Sequence, residues 1–106
     1  MSETTKFQQQ TASEILNALA AHRTELQAFG VRKLGLFGSY RRNTPNPDSD
    51  MDFLADFAEF SFDSYMDTKF FLEDLFQHPV DLVLEQNLKP RLRPYILNEV
   101  VYVPGL

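Results

Sequence analysis

Leu34 to Phe57 reads LGLFGSYRRNTPNPDSDMDFLADF, and this segment contains the most informative pattern of the chain. Its first part, Leu34 to Phe37, has the apolar composition of a strand and stops at Gly38-Ser39. After ten intervening residues, two aspartates alternate at Asp50 and Asp52. The segment therefore predicts a strand that ends in a tight turn, a proline-containing loop, and a second strand that begins with paired carboxylates.

Length and composition limit the classes of protein that fit. The 106 residues suffice for one core, and we expect a flexible tail over residues 1–10 and a single domain over residues 11–106. The chain has no cysteine, which excludes disulfides and thiolate metal sites. It has no apolar run of about 18 residues and no signal sequence, so we expect a cytoplasmic protein without contact to a membrane.

The net charge is −5, which disfavours binding to the phosphate backbone of DNA or RNA. We therefore expect no direct nucleic-acid binding. Bound Mg²⁺ would reverse the sign of the charge locally, so an acidic protein remains compatible with a nucleoside triphosphate.

Helical and strand patterns alternate along the chain. A capping box at Thr11 and Glu14 opens a predicted helix over residues 12–28. A second helix, capped by Ser61 or Asp63, is predicted to run to about residue 76, and a third begins at Pro90 or near Arg93. Strands are predicted at residues 31–37, 50–57, 80–84 and 100–103. This order predicts an α/β (α+β) domain with a sheet of about four strands and leaves parallel or mixed pairing open.

Three aspartates are candidate metal ligands. Asp50 and Asp52 leave the same face of a strand, and Mg²⁺ prefers such oxygens together with substrate phosphates; the alternative is the solvent face of an edge strand. Asp81 interrupts an apolar strand, where an unpaired carboxylate is costly. It is either a third ligand or the partner of a structural arginine. If the three lie together without metal, the pKa of at least one should be raised.

The Gly38-Ser39 turn is a candidate anion site. Glycine lets backbone N–H groups approach an anion, and the serine hydroxyl adds a donor. Arg41 and Arg42 follow and either reach phosphate or remain solvated. The chain has neither a P-loop motif nor a dinucleotide-binding motif. His22 and His78 lack ligand spacing, so we expect no functional role for them.

Taken together, Gly38-Ser39, ten residues, Asp50-Met51-Asp52 and the later Asp81 resemble the G-S-x10-D-x-D signature of nucleotidyltransferases in the DNA polymerase beta superfamily. Over residues 31–103 the chain is most similar to the minimal nucleotidyltransferases, in particular the MNT-type antitoxins encoded beside HEPN-domain toxins. Arg41 and Asn43 depart from the pattern, which often has alanine and glycine at these positions.

The resemblance implies a mixed-sheet nucleotidyltransferase fold, two Mg²⁺ ions, and ATP as the donor of AMP. The implied acceptor is a tyrosine hydroxyl of a cognate HEPN ribonuclease toxin, which is inactivated within a hetero-oligomer. The resemblance assigns catalysis and metal binding to Asp50, Asp52 and Asp81, and phosphate binding to Gly38 and Ser39, with Arg42 as the candidate for a further phosphate contact.

Two other functions remain open from the sequence. One is an antitoxin that blocks its toxin by binding alone, and the other is a nucleotidyltransferase for small molecules. A chain of this length leaves no room for a second domain, so a partner chain would complete the substrate pocket. The residues of this chain to which the partner docks are expected among the exposed aromatic side chains of Phe57, Phe60, Phe62 and Phe70.

Overall fold

The computed structural model describes residues 10–106. The tail predicted for residues 1–10 thus lies, except for its last residue, outside the described part and stays a prediction. In chain order the elements are α1 (Ala12–Ala21), α2 (Arg23–Ala28), β1 (Val31–Phe37), β2 (Met51–Phe57), α3 (Phe62–Phe76), β3 (Val80–Leu84), a 3-10 turn (Glu85–Asn87), α4 (Arg93–Glu99) and β4 (Val101–Tyr102).

The strands form one mixed sheet in the order β3-β2-β1-β4. β1 pairs antiparallel with both β2 and β4. β2 pairs parallel with β3, and α3 connects the two. The predicted sheet of about four strands is confirmed, and the pairing that the sequence left open is mixed.

The core lies between the helices and one face of the sheet. Alternation along each strand brings one set of apolar side chains to this face. Each large side chain that is fully buried there contributes about 1.5–3 kcal/mol relative to an exposed position. The buried residues include Leu34, Leu36, Met51, Phe53, Ala55, Val80 and Leu82 from the strands and Ile15, Leu19, Leu26, Leu72 and Phe76 from the helices.

The helix predicted over residues 12–28 is wrong in one respect, because it is two helices. α1 ends at Ala21, the backbone of the cap residue His22 (φ −112°, ψ 24°) leaves the helical region, and α2 begins at Arg23. The bend lets Ile15 and Leu19 from α1 and Leu26 from α2 all reach the core with no exposed surface. The apolar spacing continues through position 22, without glycine or proline, so the sequence carried no signal for the break.

The remaining boundaries follow the predictions with small shifts. The capping box at Thr11 is present, and Ser61 caps α3. α4 begins at Arg93, which was one of the two alternatives. β2 begins at Met51 rather than Asp50, and β4 contains only Val101 and Tyr102. Within residues 10–106, no helix has the length and apolar character that a membrane span requires.

Candidate active site

Asp52 and Asp81 face each other across two neighbouring strands. In the parallel ladder of β2 and β3 they are direct Cα partners, and such strands lie about 4.8 Å apart. Asp50 precedes β2 by one residue and alternates with Asp52. The sheet therefore brings the three aspartates to one end of one face.

The environment of Asp81 differs from the prediction. A buried strand position was expected, whereas the Asp81 residue is exposed. The reason is topological, because β3 is an edge strand. Its flanking residues Val80 and Leu82 point into the core, and Asp81 therefore points away from it. Because the Asp81 charge is exposed to solvent, it needs no arginine partner to compensate it.

Burial and neighbouring charges perturb the pKa of Asp52. Burial, followed by the negative charges of Asp81 and Asp50, raises its pKa from 3.8 to about 6, while Arg42 acts in the opposite direction. This agrees with the expectation that clustering of the three carboxyls without a cation raises the pKa of at least one of them. The site therefore favours a bound positive charge.

Gly38 brings the turn after β1 into direct contact with Asp52. Gly38 has a φ of +80°, in the left-handed region, and a Cβ at this position would lie 2.1 Å from Asp52 Oδ2. No side chain fits in that space. A glycine is therefore required both for the backbone conformation and for the approach of the turn to the carboxylates.

The turn itself is stabilised by backbone hydrogen bonds. The Arg42 N–H donates to the Gly38 carbonyl, and the Thr44 N–H donates to the Ser39 carbonyl at 2.9 Å. Residues 39–43 form turns. Asn43 has a φ of 59°, so it adopts a left-handed conformation, which asparagine tolerates better than most residues other than glycine. Its Oδ1 also accepts a hydrogen bond of 2.8 Å from the Ala12 N–H, which ties α1 to the turn.

Glu99 is a residue of this site that the sequence analysis missed. The Gly38 N–H donates to Glu99 Oε2 at 2.8 Å, and Arg42 Nη1 donates to Glu99 Oε1 at 2.6 Å. The Nε of Arg41 donates to the Glu99 carbonyl at 2.8 Å. Glu99 is far from Gly38 in sequence and belongs to no motif. Arg41 and Arg42 thus both contact Glu99, an arrangement that the sequence did not indicate, and the assignment of Arg42 to phosphate stays a prediction.

His78 lies next to the site and contacts two segments that border it. Its Nε2 lies 3.3 Å from the hydroxyl of Tyr40, a residue with only 2% exposure, and 2.5 Å from the Ser49 carbonyl. The ring thus links the Gly38 turn to the loop that leads into Asp50. Sequence spacing gave no indication of this contact, because the three residues are remote from one another along the chain.

The donor chemistry of the site fits Mg²⁺. Asp50, Asp52 and Asp81 supply hard oxygen ligands whose mutual repulsion a divalent cation would relieve. Among residues 10–106, however, no group of three or more His, Asp or Glu side chains is arranged so that it could hold a metal ion by itself. A Mg²⁺ ion bound here would therefore need water and phosphate oxygens to complete its coordination shell.

The aromatic residues expected at a docking surface differ in exposure. Phe57 is 7% exposed and belongs to the core, so it is not one of the exposed aromatic residues that could dock a partner. Phe60, Phe62 and Phe70 are 49%, 70% and 57% exposed. Phe60 and Phe62 line an open apolar pocket of about 360 Å³ beside β3.

Comparison with known proteins identifies relatives over most of the chain. The nucleotidyltransferase domain family matches residues 19–103. The protein adenylyltransferase MntA of Thermococcus cleftensis is 44% identical over 95 residues, which cover 88% of this chain and 96% of MntA. A solved structure, described as that of a candidate minimal nucleotidyltransferase, has a TM-score of 0.67 at 34% identity and covers 81% of this chain and 93% of that chain.

The fold also occurs in an MNT antitoxin. This antitoxin was solved in complex with the tri-AMPylated HEPN toxin of Shewanella oneidensis. It shares a TM-score of 0.60 at 17% identity, covering 86% of this chain and 73% of that chain. The likeness at this identity concerns the fold.

Proposed function

This chain belongs to the nucleotidyltransferase family, and from that premise we propose that it is an antitoxin that transfers AMP from ATP to a tyrosine hydroxyl of a cognate HEPN ribonuclease toxin. The modification inactivates the toxin. The observation that carries the proposal is the opposition of Asp52 and Asp81 next to Asp50, directly facing the Gly38 turn. Residues 11–106 act in this proposal as a single minimal nucleotidyltransferase domain.

The relatives support the choice of AMP and of a protein acceptor. MntA, which matches nearly the whole chain, is named a protein adenylyltransferase. The MNT antitoxin of the same fold was solved with a HEPN toxin that carries three AMP groups. We extend both the reaction and the class of partner to this chain, with a hetero-oligomer as the working assembly.

In the proposed reaction the tyrosine oxygen attacks the α-phosphorus of ATP. The bond from that phosphorus to the oxygen that bridges the α- and β-phosphorus atoms breaks, and pyrophosphate leaves. Asp50 and Asp52 would hold two Mg²⁺ ions, with Asp81 as a ligand of the catalytic ion. Bound there, the ions would neutralise the phosphate charge and stabilise the negative charge of the transition state.

Asp81 is suited to a protein acceptor because it is exposed on an edge strand. A tyrosine of a partner chain can approach this carboxylate from outside the sheet. In the proposal Asp81 also helps to take the proton of the tyrosine hydroxyl. The approach requires no opening of the core, which agrees with a substrate as large as a folded toxin.

Gly38, Ser39 and Arg42 are the proposed phosphate contacts. A backbone N–H, a hydroxyl and a guanidinium form a donor set that suits the β- and γ-phosphates. The close packing of the Gly38 turn against Asp52 would place these phosphates next to the metal ligands. This arrangement couples binding of the triphosphate to binding of the ions.

The test is the intact mass of the HEPN toxin co-expressed with this protein. We expect the toxin to gain one or more AMP masses with the native chain and none with Asp50→Ala/Asp52→Ala. Peptide mapping should place the modification on a tyrosine. An unmodified toxin beside the native chain would remove the enzymatic proposal and leave inhibition by binding alone.

Asp56→Asn is a matched control for loss of a carboxylate from β2. Asp56 alternates with Asp52 on the same face of the strand, but its Oδ2 is engaged by Arg32 Nε at 2.8 Å. We expect this variant to modify the toxin like the native chain. Equal loss of modification in Asp52→Asn and Asp56→Asn would show that general charge, rather than the proposed site, matters.

A further inference from the structure

The Glu99 carboxylate occupies the anion position of the Gly38 turn. One of its oxygens accepts from the Gly38 N–H at 2.8 Å, and the other accepts from Arg42 Nη1 at 2.6 Å. A backbone N–H and a guanidinium are also the donors that a phosphate group would use. The turn therefore already holds an anion that comes from the chain itself.

The same donors are assigned to the nucleotide in the proposed function. A short hydrogen bond from a single N–H has room for one acceptor at its optimum geometry. Placing a phosphate oxygen on Gly38 thus requires that Glu99 Oε2 leaves. A triphosphate beside an unmoved Glu99 would also meet the repulsion of a like charge at close range.

Glu99 lies at a point where the chain can move at low cost. It is the last residue of α4, and α4 contains no buried residue. Besides the side-chain contacts, the Glu99 carbonyl accepts from Arg41 Nε at 2.8 Å, and the Val100 N–H donates to the Ile96 carbonyl at 2.9 Å. A helix without a buried face has little packing energy to lose when its end shifts.

We propose that Glu99 is an internal competitor of the nucleotide, which closes the phosphate turn in the free protein and is displaced when a triphosphate binds. The end of α4 then acts as a gate on the site. This inference rests on the proposed function and adds a regulatory contact to it. Removal of the competitor should tighten nucleotide binding.

The experiment measures dissociation constants by calorimetry on the full chain, with MgATP and with magnesium tripolyphosphate as probes. Glu99→Gln keeps the shape of the side chain and removes its charge, whereas Glu99→Ala removes the contact. We expect both variants to bind both probes about tenfold more tightly than the native chain, since one hydrogen bond to a charged group corresponds to a factor of this order.

Glu85→Gln is the matched control for the change in net charge. The Glu85 carboxylate is also partly buried and held, by the Tyr102 hydroxyl at 2.6 Å and by Lys33 Nζ at 3.1 Å. We expect its affinity for both probes to remain native. Equal tightening in Glu85→Gln and Glu99→Gln would overturn the inference, because long-range charge would then explain the effect.

Weaker or unchanged binding in both Glu99 variants would also overturn the inference and identify Glu99 as a structural brace of the turn. That outcome leaves the proposed function intact, because the native chain still binds the nucleotide. If neither the native protein nor any variant binds MgATP or magnesium tripolyphosphate, both this inference and the proposed function are overturned.

Hydrogen exchange on the native protein provides a test that does not depend on folding of a variant. Displacement of Glu99 should loosen the end of α4, so the Val100 amide should exchange faster when MgATP is added. Unchanged or slower exchange at Val100 in the saturated complex would contradict displacement.

Discussion

Gly38 and Asp52 are in such close contact that a Cβ on the first would lie 2.1 Å from Oδ2 of the second. We therefore expect Gly38→Ala to abolish nucleotide binding, because the methyl group must push the turn away from the carboxylates. Its stability should also fall, with about 1–2 kcal/mol from the left-handed backbone alone and more from the clash. Urea unfolding and calorimetry with MgATP measure the two effects.

Gly30→Ala is the matched control for this prediction. Gly30 also has a left-handed backbone, with a φ of +90°, but its nearest neighbour, the Glu59 carbonyl oxygen, would lie 4.0 Å from an added Cβ. The variant should lose stability through the backbone alone and keep its affinity for nucleotide. Native binding in Gly38→Ala would show that the contact with Asp52 is not needed.

Stability should depend on pH through Asp52. Its pKa rises from 3.8 to about 6 in the folded protein, so the folded state binds the proton more tightly than the unfolded state. The stabilisation that this proton gives is present at low pH and is lost as the pH rises through about 6. In metal-free buffer the Tm of the native chain should fall relative to that of Asp52→Asn between about pH 4 and pH 7. If the Tm values of the two proteins change in parallel with pH, the pH dependence does not come from the raised pKa of Asp52.

Mg²⁺ and nucleotide should stabilise the protein together. A ligand that binds only the folded state raises stability by about 2.7 kcal/mol at a concentration of 100 times its dissociation constant. We expect MgATP to raise the Tm of the native chain and ATP with a chelator to raise it less, because the carboxylates repel an uncompensated triphosphate. In Asp50→Ala/Asp52→Ala, MgATP and ATP with a chelator should change the Tm by the same amount. An unchanged native Tm with saturating MgATP would argue against the site.

The sequence predicted those parts of the fold that depend on local patterns. Two strands were predicted with the observed bounds, because apolar runs end there at turn residues. They are β1 (Val31–Phe37) and β3 (Val80–Leu84). The adjacency of Asp81 and Asp52 followed from the motif, and the register of β2 and β3 agrees with it. The exposure of Asp81 was not predictable, because nothing local distinguishes an edge strand from a central one.

Glu99 shows why the site could be predicted only in part. Its contact with Gly38 joins residues 61 positions apart, and it depends on how α4 and β4 return to the edge of β1. A single glutamate in a helical segment has no spacing that indicates such a contact. The break at His22 is a similar case, since it follows from packing of α1 and α2 against the sheet.

The contact of Tyr40 with His78 leads to a last prediction, which concerns the position of Asp50. The Tyr40 hydroxyl and the Ser49 carbonyl both meet His78 Nε2, so the ring fixes the loop before β2. Tyr40→Phe should cost about 0.5–1.5 kcal/mol, and His78→Ala more, because it leaves the buried hydroxyl without this partner. A double-mutant cycle by urea unfolding should give a coupling energy above about 0.5 kcal/mol.

Because the loop carries Asp50, His78→Ala should also weaken MgATP binding, whereas Tyr40→Phe should leave it nearly native. Additive stabilities together with native affinity in His78→Ala would show that the loop is fixed by other contacts.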